Sequence, residues 1–217
     1  MTNVSATQEK VSIRSRLFQV ALEALEKEGW RVERIARSGK SSVRRITKGK
    51  LDKTVSIRTS QDTWIAFPRT AKDDAWATLA DVDYVVAASV DDRSNPQFAQ
   101  VHLIPGDEMR DRFDRAYAAR KQANHTLPIG RGVWLSLYEK ESANPVSLVG
   151  GGAGLAHPAI AKVPLSGQEV AELSEEPDSD GEGEKTAEAP LTIAEAKRRL
   201  ALSLGVAESE IKITIST

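Results

Sequence analysis

The sequence predicts an α+β or α/β domain built on a mixed central sheet flanked by helices, and three observations predict it. One amphipathic helix is followed closely by three short strand-like segments. An unbroken apolar run, Tyr84-Val85-Val86-Ala87-Ala88, has the character of a strand covered on both faces. Every Trp, Phe and Tyr of the 217 residues lies between Phe18 and Tyr138. Aromatic side chains bury the largest areas, so the globular domain is placed at residues 11–140, after a disordered start at residues 1–10.

The elements follow from periodicity. Ile13, Leu17, Ala21, Leu22 and Leu25 recur at helical spacing, and Gly29 supplies the stop. Strands are expected at 31–36, 42–47 and 54–59, separated by the turn-like Ser38-Gly39-Lys40 and Lys48-Gly49-Lys50. A fourth run, Thr63 to Phe67, is ended by Pro68. After the buried run come a strand at 98–104 and a break at Pro105-Gly106. A helix to about Ala123 follows, with Met109, Phe113, Ala116 and Tyr117 as its inner stripe, and then a strand through Val133, Leu135 and Leu137.

Beyond Tyr138 the composition changes. Gly150-Gly151-Gly152-Ala153-Gly154 is followed by residues 166–189, in which nine acidic residues face one lysine, a net of −8. Such a segment repels itself and has little to bury, so residues 141–190 are expected to be a Gly-rich and then acidic disordered linker. The glycines do not make a dinucleotide fingerprint, because Ala156-His157-Pro158 leaves no room for the helix that would hold a pyrophosphate. Residues 191–217 regain a pattern. Thr192 with Glu195 is a capping box, Ile193, Ala196, Leu200 and Leu204 form a helical stripe, and Ile211, Ile213 and Ile215 alternate as a strand. One helix and one strand cannot close a core. This unit is therefore expected to dock on a second copy of itself, on the core or on another protein through Ile193, Leu200, Leu204, Ile211, Ile213 and Ile215.

Composition excludes several chemistries. The absence of Cys removes disulfides, thiol nucleophiles and Cys-ligated metals. His102, His125 and His157 stand at no metal-motif spacing, so neither a metal nor another cofactor is expected. No apolar run reaches the roughly 18 residues that cross a bilayer, and the polar start lacks a secretory apolar stretch, so a cytoplasmic protein without membrane contact is expected. Asp107-Glu108 suits the first turn of a helix. Asp91-Asp92 precedes a turn, and Ser41, Ser42 and Ser60 have no His placed by sequence. Trp64 and Trp76 are read as core, with base stacking as the alternative.

The net charge of −1 hides an asymmetry, since residues 1–76 carry 16 Lys and Arg against nine Asp and Glu, a net of +7. Lys40, Arg44, Arg45, Lys48, Lys50 and Lys53 concentrate on the expected hairpins. They form a candidate phosphate-contacting face for DNA, or else solvated edge-strand cations that block sheet-to-sheet pairing.

At residues 54–67 this order meets a family pattern. Val55-Ser56-Ile57-Arg58-Thr59-Ser60, followed by Trp64-Ile65-Ala66-Phe67, resembles the third core strand of PD-(D/E)XK nucleases of the restriction-endonuclease-like and Holliday-junction-resolvase-like group. Asp81-Val82-Asp83-Tyr84-Val85-Val86 and Val101-His102-Leu103-Ile104-Pro105 are similar to that family's later segments, and the likeness spans about residues 12–140. The resemblance implies a divalent metal held by an Asp of the second strand and an acidic residue of the third, with a Lys two residues on.

Here the motif positions are Ser42, Ser56 and Arg58. None is a carboxylate, and hard cations need oxygen ligands. Arg58 stays protonated and acts as a charge clamp. The reading is a non-catalytic nuclease-fold protein that binds nucleic acid through the basic residues, Arg58 among them, and/or a protein partner. Two alternatives stand beside it. One is a scaffold or regulator acting only through residues 191–217. The other is an active metal-dependent nuclease whose carboxylates have migrated, with Asp52 and Asp62 nearest.

Overall fold

Six strands form one mixed sheet in the computed structural model, which describes residues 8–35, 42–127, 130 and 132–165. Along the chain come α1 (Gln8–Lys27), β1 (Arg31–Arg34), β2 (Val43–Lys48), β3 (Leu51–Ser60), β4 (Trp64–Pro68), β5 (Tyr84–Val90), β6 (Phe98–Pro105) and α2 (Gly106–Gln122). They are followed by β7 (Gly132–Ser136), a 3₁₀ turn (Val146–Leu148), the short α3 (Ala153–Ala156) and β8 (Ala161–Pro164). The sheet order is β1-β2-β3-β5-β6-β8, and β4 pairs with β7 in a separate ribbon. Among the described strands only the β3–β5 pair is parallel, with Val55 beside Tyr84 and Ser60 beside Ser89. The class is α+β, with a mixed central sheet.

Strand alternation explains how both faces of that sheet are covered. Val86 and Ala88 of β5 join Val55, Ile57, Ile46 and Val101 on the face that receives Leu17, Ala21 and Leu25 of α1. Val85 and Ala87 point the other way, toward Met109, Phe113 and Ala116 of α2 and toward Ile65, Phe67, Val133 and Leu135 of the ribbon. The expected central position of Val55–Thr59, its pairing with the preceding strand and the packing of α1 through Leu17, Ala21 and Leu25 are all present. β3 is longer than its periodicity indicated, because β2 turns back on it through Gly49-Lys50 alone.

The run from Thr63 does become a strand, but it leaves the central sheet for β7, and Phe67 meets Phe113 edge-on at 5.1 Å between centroids. Trp76 lies beside it as core, 5.2 Å from Phe113, and its indole N–H donates to Asp114 at 2.7 Å.

One expectation needs correction, the domain boundary at residue 140 with the linker at 141–190, because the chain stays in the fold as far as Leu165. β8 adds to the sheet edge beside β6, with Val101 opposite Ala161 and Phe98 opposite Pro164. The glycines are built in. The Gly152 and Gly154 N–H groups donate to the Ser136 and Leu137 carbonyls at 2.9 and 2.8 Å, and Arg112 of α2 donates to the Gly150 and Gly151 carbonyls. Residues 1–7 and 166–217 lie outside the described residues, and with them the expected docking set Ile193, Leu200, Leu204, Ile211, Ile213 and Ile215. Among the described residues no helix is long and apolar enough to cross a membrane.

Candidate functional site

The family-motif positions fall on β3 and at the entrance to β2, and the register decides what they face. Val43 is the residue directly across from Ser56, whereas Ser42 stands one position before β2, where its carbonyl accepts from the Ile57 N–H at 2.8 Å. A one-residue offset moves a strand position to the opposite face of a sheet. The partner of Ser56 across the ladder is thus an apolar side chain packed against the core, and Ser42 does not stand opposite it.

On its other side Ser56 is flanked by Val85 of β5, and its hydroxyl is fully buried with no hydrogen-bond partner. Arg58, 8 % exposed, lies beside Ala87 with its guanidinium 4.3 Å from the Phe67 ring centroid, and it donates to the Thr78 hydroxyl. A divalent cation here would meet one hydroxyl, two valines and a guanidinium. These residues do not fit a magnesium site, which requires carboxylate or other oxygen ligands around the ion.

The migrated-carboxylate alternative also meets the geometry. Asp52 is at the start of β3 and Asp62 is beyond its end, so about 30 Å of strand separates them at ~3.3 Å per residue. Asp52 accepts from Arg45 Nε at 2.8 Å, and this hydrogen bond holds its carboxyl below the usual range. Asp62 pairs with Arg93 at 3.2 Å and accepts from the Thr63 N–H. A further carboxyl group beside this strand is Asp83, just before β5. The Thr54 N–H and then Lys53, at 2.8 and 2.9 Å, lower its pKa and occupy its oxygens. Among the described residues no three His, Asp or Glu side chains are grouped so as to hold a metal ion.

The expected basic face is divided by the same alternation. Arg44 and Lys48 lie on the α1 side, Arg44 only 4 % exposed with its guanidinium 5.5 Å from the Phe18 centroid. Lys48 reaches over Trp30 and donates to the Glu28 carbonyl just past the end of α1, where a cation suits the helix dipole. Arg45 turns to the opposite side and pairs with Asp52, Lys53 pairs with Asp83, and Lys50 stands exposed in the β2–β3 turn. Arg44 and Arg58 are therefore corrected from phosphate contacts to core cations. Lys40 lies outside the described residues. What remains at the surface is Arg45, Lys48, Lys50 and the half-buried Lys53.

A polar chain that sequence reading missed crosses the sheet's other half. His102, 2 % exposed, is 2.7 Å from the His157 carbonyl through Nδ1 and 2.9 Å from the Tyr138 hydroxyl through Nε2. Tyr138 in turn is 2.7 Å from Ser89 Oγ. A carbonyl only accepts, so Nδ1 carries the proton, Nε2 accepts from Tyr138, and Ser89 donates to Tyr138. Burial lowers the His102 pKa, in keeping with a neutral ring, and burial raises that of Tyr138. Beside the chain, His157 Nε2 lies 2.6 Å from Glu108, which also accepts from Arg112 at 2.8 Å. The contributing residues are scattered over three elements and two loops, and no local spacing marks them. Comparison with protein-family models, curated proteins and solved structures finds no match.

Proposed function

We propose that this protein is a non-catalytic relative of the restriction-endonuclease-like nucleases that binds nucleic acid. The observation that carries the reading is the burial of Ser56 and Arg58 among Val43, Val85 and Phe67, where the family chemistry calls for carboxylates and a lysine. The antiparallel β2–β3 hairpin, the parallel β3–β5 pair and α1 on one face support the likeness of fold. Binding falls to the surface cations Arg45, Lys48 and Lys50. Arg45 is paired, but its bridge to Asp52 joins two half-exposed side chains, and such bridges contribute little and exchange readily for a phosphate.

The test is a mobility shift with duplex and single-stranded DNA over a salt series. Replacing Arg45, Lys48 and Lys50 together by Ala is expected to weaken association similarly across sequences. The salt slope is expected to fall by up to about 3, since each lost phosphate contact removes roughly 0.7–0.9. Absence of binding by the wild type at ~50 mM salt, where such contacts are strongest, rejects the reading and leaves the scaffold alternative.

A further inference from the structure

Between α1 and the β4–β7 ribbon, a groove of about 580 Å³ opens across the carboxyl ends of β3 and β5. These are the two parallel neighbours of the sheet, and chains that diverge at the carboxyl ends of parallel strands leave a crevice where ligands bind in open α/β sheets. The volume falls within the ~300–1,000 Å³ range of small-ligand sites. Arg14 of α1 and Arg93 of the loop after β5 line it, with Ser60, Gln61 and Asp62 from the end of β3, and Trp134 of β7 forms one wall.

Trp134 is the unexpected member. Its neighbours Val133 and Leu135 are buried in the α2-side core, yet its own side chain points outward from β7 and is 53 % exposed. A solvated position on a half-buried strand is ordinarily filled by a polar residue, and an exposed indole gives up burial that a Trp elsewhere in this chain, Trp76, obtains.

We propose that this groove takes single-stranded nucleic acid, with a base stacked on the Trp134 indole and the flanking phosphates drawn by Arg14 and Arg93. The proposal rests on the nucleic-acid reading above and narrows it to a strand class. An aromatic face meets only a base that has left its own stack, so the site discriminates against duplex, and it is tolerant of sequence because every base has a π-face. Arg93 pairs with Asp62 at 3.2 Å, with its side chain 76 % exposed, and a bridge of that kind exchanges for a phosphate at little cost. The cations fit an anionic strand, and the indole in the same groove fits its bases.

The experiment is fluorescence anisotropy of a labelled short oligothymidylate at low salt, using the full chain, with Trp134→Ala, Trp134→Phe and unlabelled thymidine monophosphate as competitor. Trp134→Ala is expected to weaken the oligomer roughly five- to a hundredfold, the effect of one stacked base. Trp134→Phe is expected to retain most of the affinity, and a duplex of equal length to change little. An exposed side chain leaves the thermal transition in place, so unchanged melting of both variants accompanies the expected result. Equal affinity of wild type and Trp134→Ala overturns the site while the proposed function stands. Competition by the monophosphate as strong as by the oligomer overturns the strand in favour of a free nucleotide. Failure of the wild type to bind either oligomer or duplex removes the proposed function, and this site with it.

Discussion

Gly150→Ala is expected to lower the stability of the folded core by about 3–5 kcal/mol, as a shift in the urea midpoint at unchanged slope. Gly150 has φ +81°, a conformation that costs a residue with a Cβ ~1–3 kcal/mol. The added atom would also overlap the Arg112 carbonyl of α2 and stand 3.2 Å from Leu135 Cδ2. Overpacking of that kind adds ~1–3 kcal/mol, and the same shift would disturb the hydrogen bonds from Arg112 to the Gly150 and Gly151 carbonyls. Gly49 provides the control. Its φ is +60° but no atom lies within 4 Å of a Cβ built there, so Gly49→Ala is expected to cost only the conformational part, ~1–3 kcal/mol. Equal small effects at both positions would mean that the glycine run is a linker after all.

Tyr138→Phe is the second large effect, expected at about 2–4 kcal/mol. It removes the one hydroxyl that donates to His102 Nε2 and accepts from Ser89, and a buried polar atom left without a partner costs ~1–3 kcal/mol. The same chain sets a pH dependence. Burial depresses the His102 pKa in the folded state, so the unfolded state binds the proton more readily. Stability is therefore fully present above the unfolded value of about 6.5. It is lost as pH falls through the folded pKa, by at most about 1.4 kcal/mol per pH unit. The carboxylates whose pKa is lowered, Asp73 at about 2 among them, act only in a more acid window. His102→Gln is expected to flatten the slope of stability against pH just below 6.5, read by denaturant titration at a series of pH values, and to leave the acid limb intact.

The strands of the central sheet were legible because alternation and an unbroken apolar run are direct consequences of covering one or two faces. β4 was legible as a strand but not as a member of the ribbon, since periodicity names a strand and not its partner. Gly150–Gly154 misled because glycines that permit close approach of backbones read like glycines that permit freedom; the backbone carbonyls they lie against, that of Arg112 beside Gly150 among them, distinguish the two. That Val43 rather than Ser42 stands across from Ser56 was not legible, because strand register cannot be resolved to one residue from a degenerate pattern. The hairpin cations looked like one surface in sequence, but alternation sends Arg44 into contact with Phe18 and Arg58 against Phe67. Trp134 was hidden inside an apolar triplet whose central residue faces outward.

Binding without cleavage is the central claim, and one time course tests it most directly. A labelled oligonucleotide, single-stranded or duplex, is mixed with the protein at low salt in excess magnesium, and its anisotropy is followed for hours. The proposal predicts a trace that rises on mixing and then holds, since it assigns binding to surface cations and finds no carboxylate at Ser42, Ser56 or Arg58. A rise followed by decay to the value of free fragments, abolished by chelation of the metal, would contradict the account.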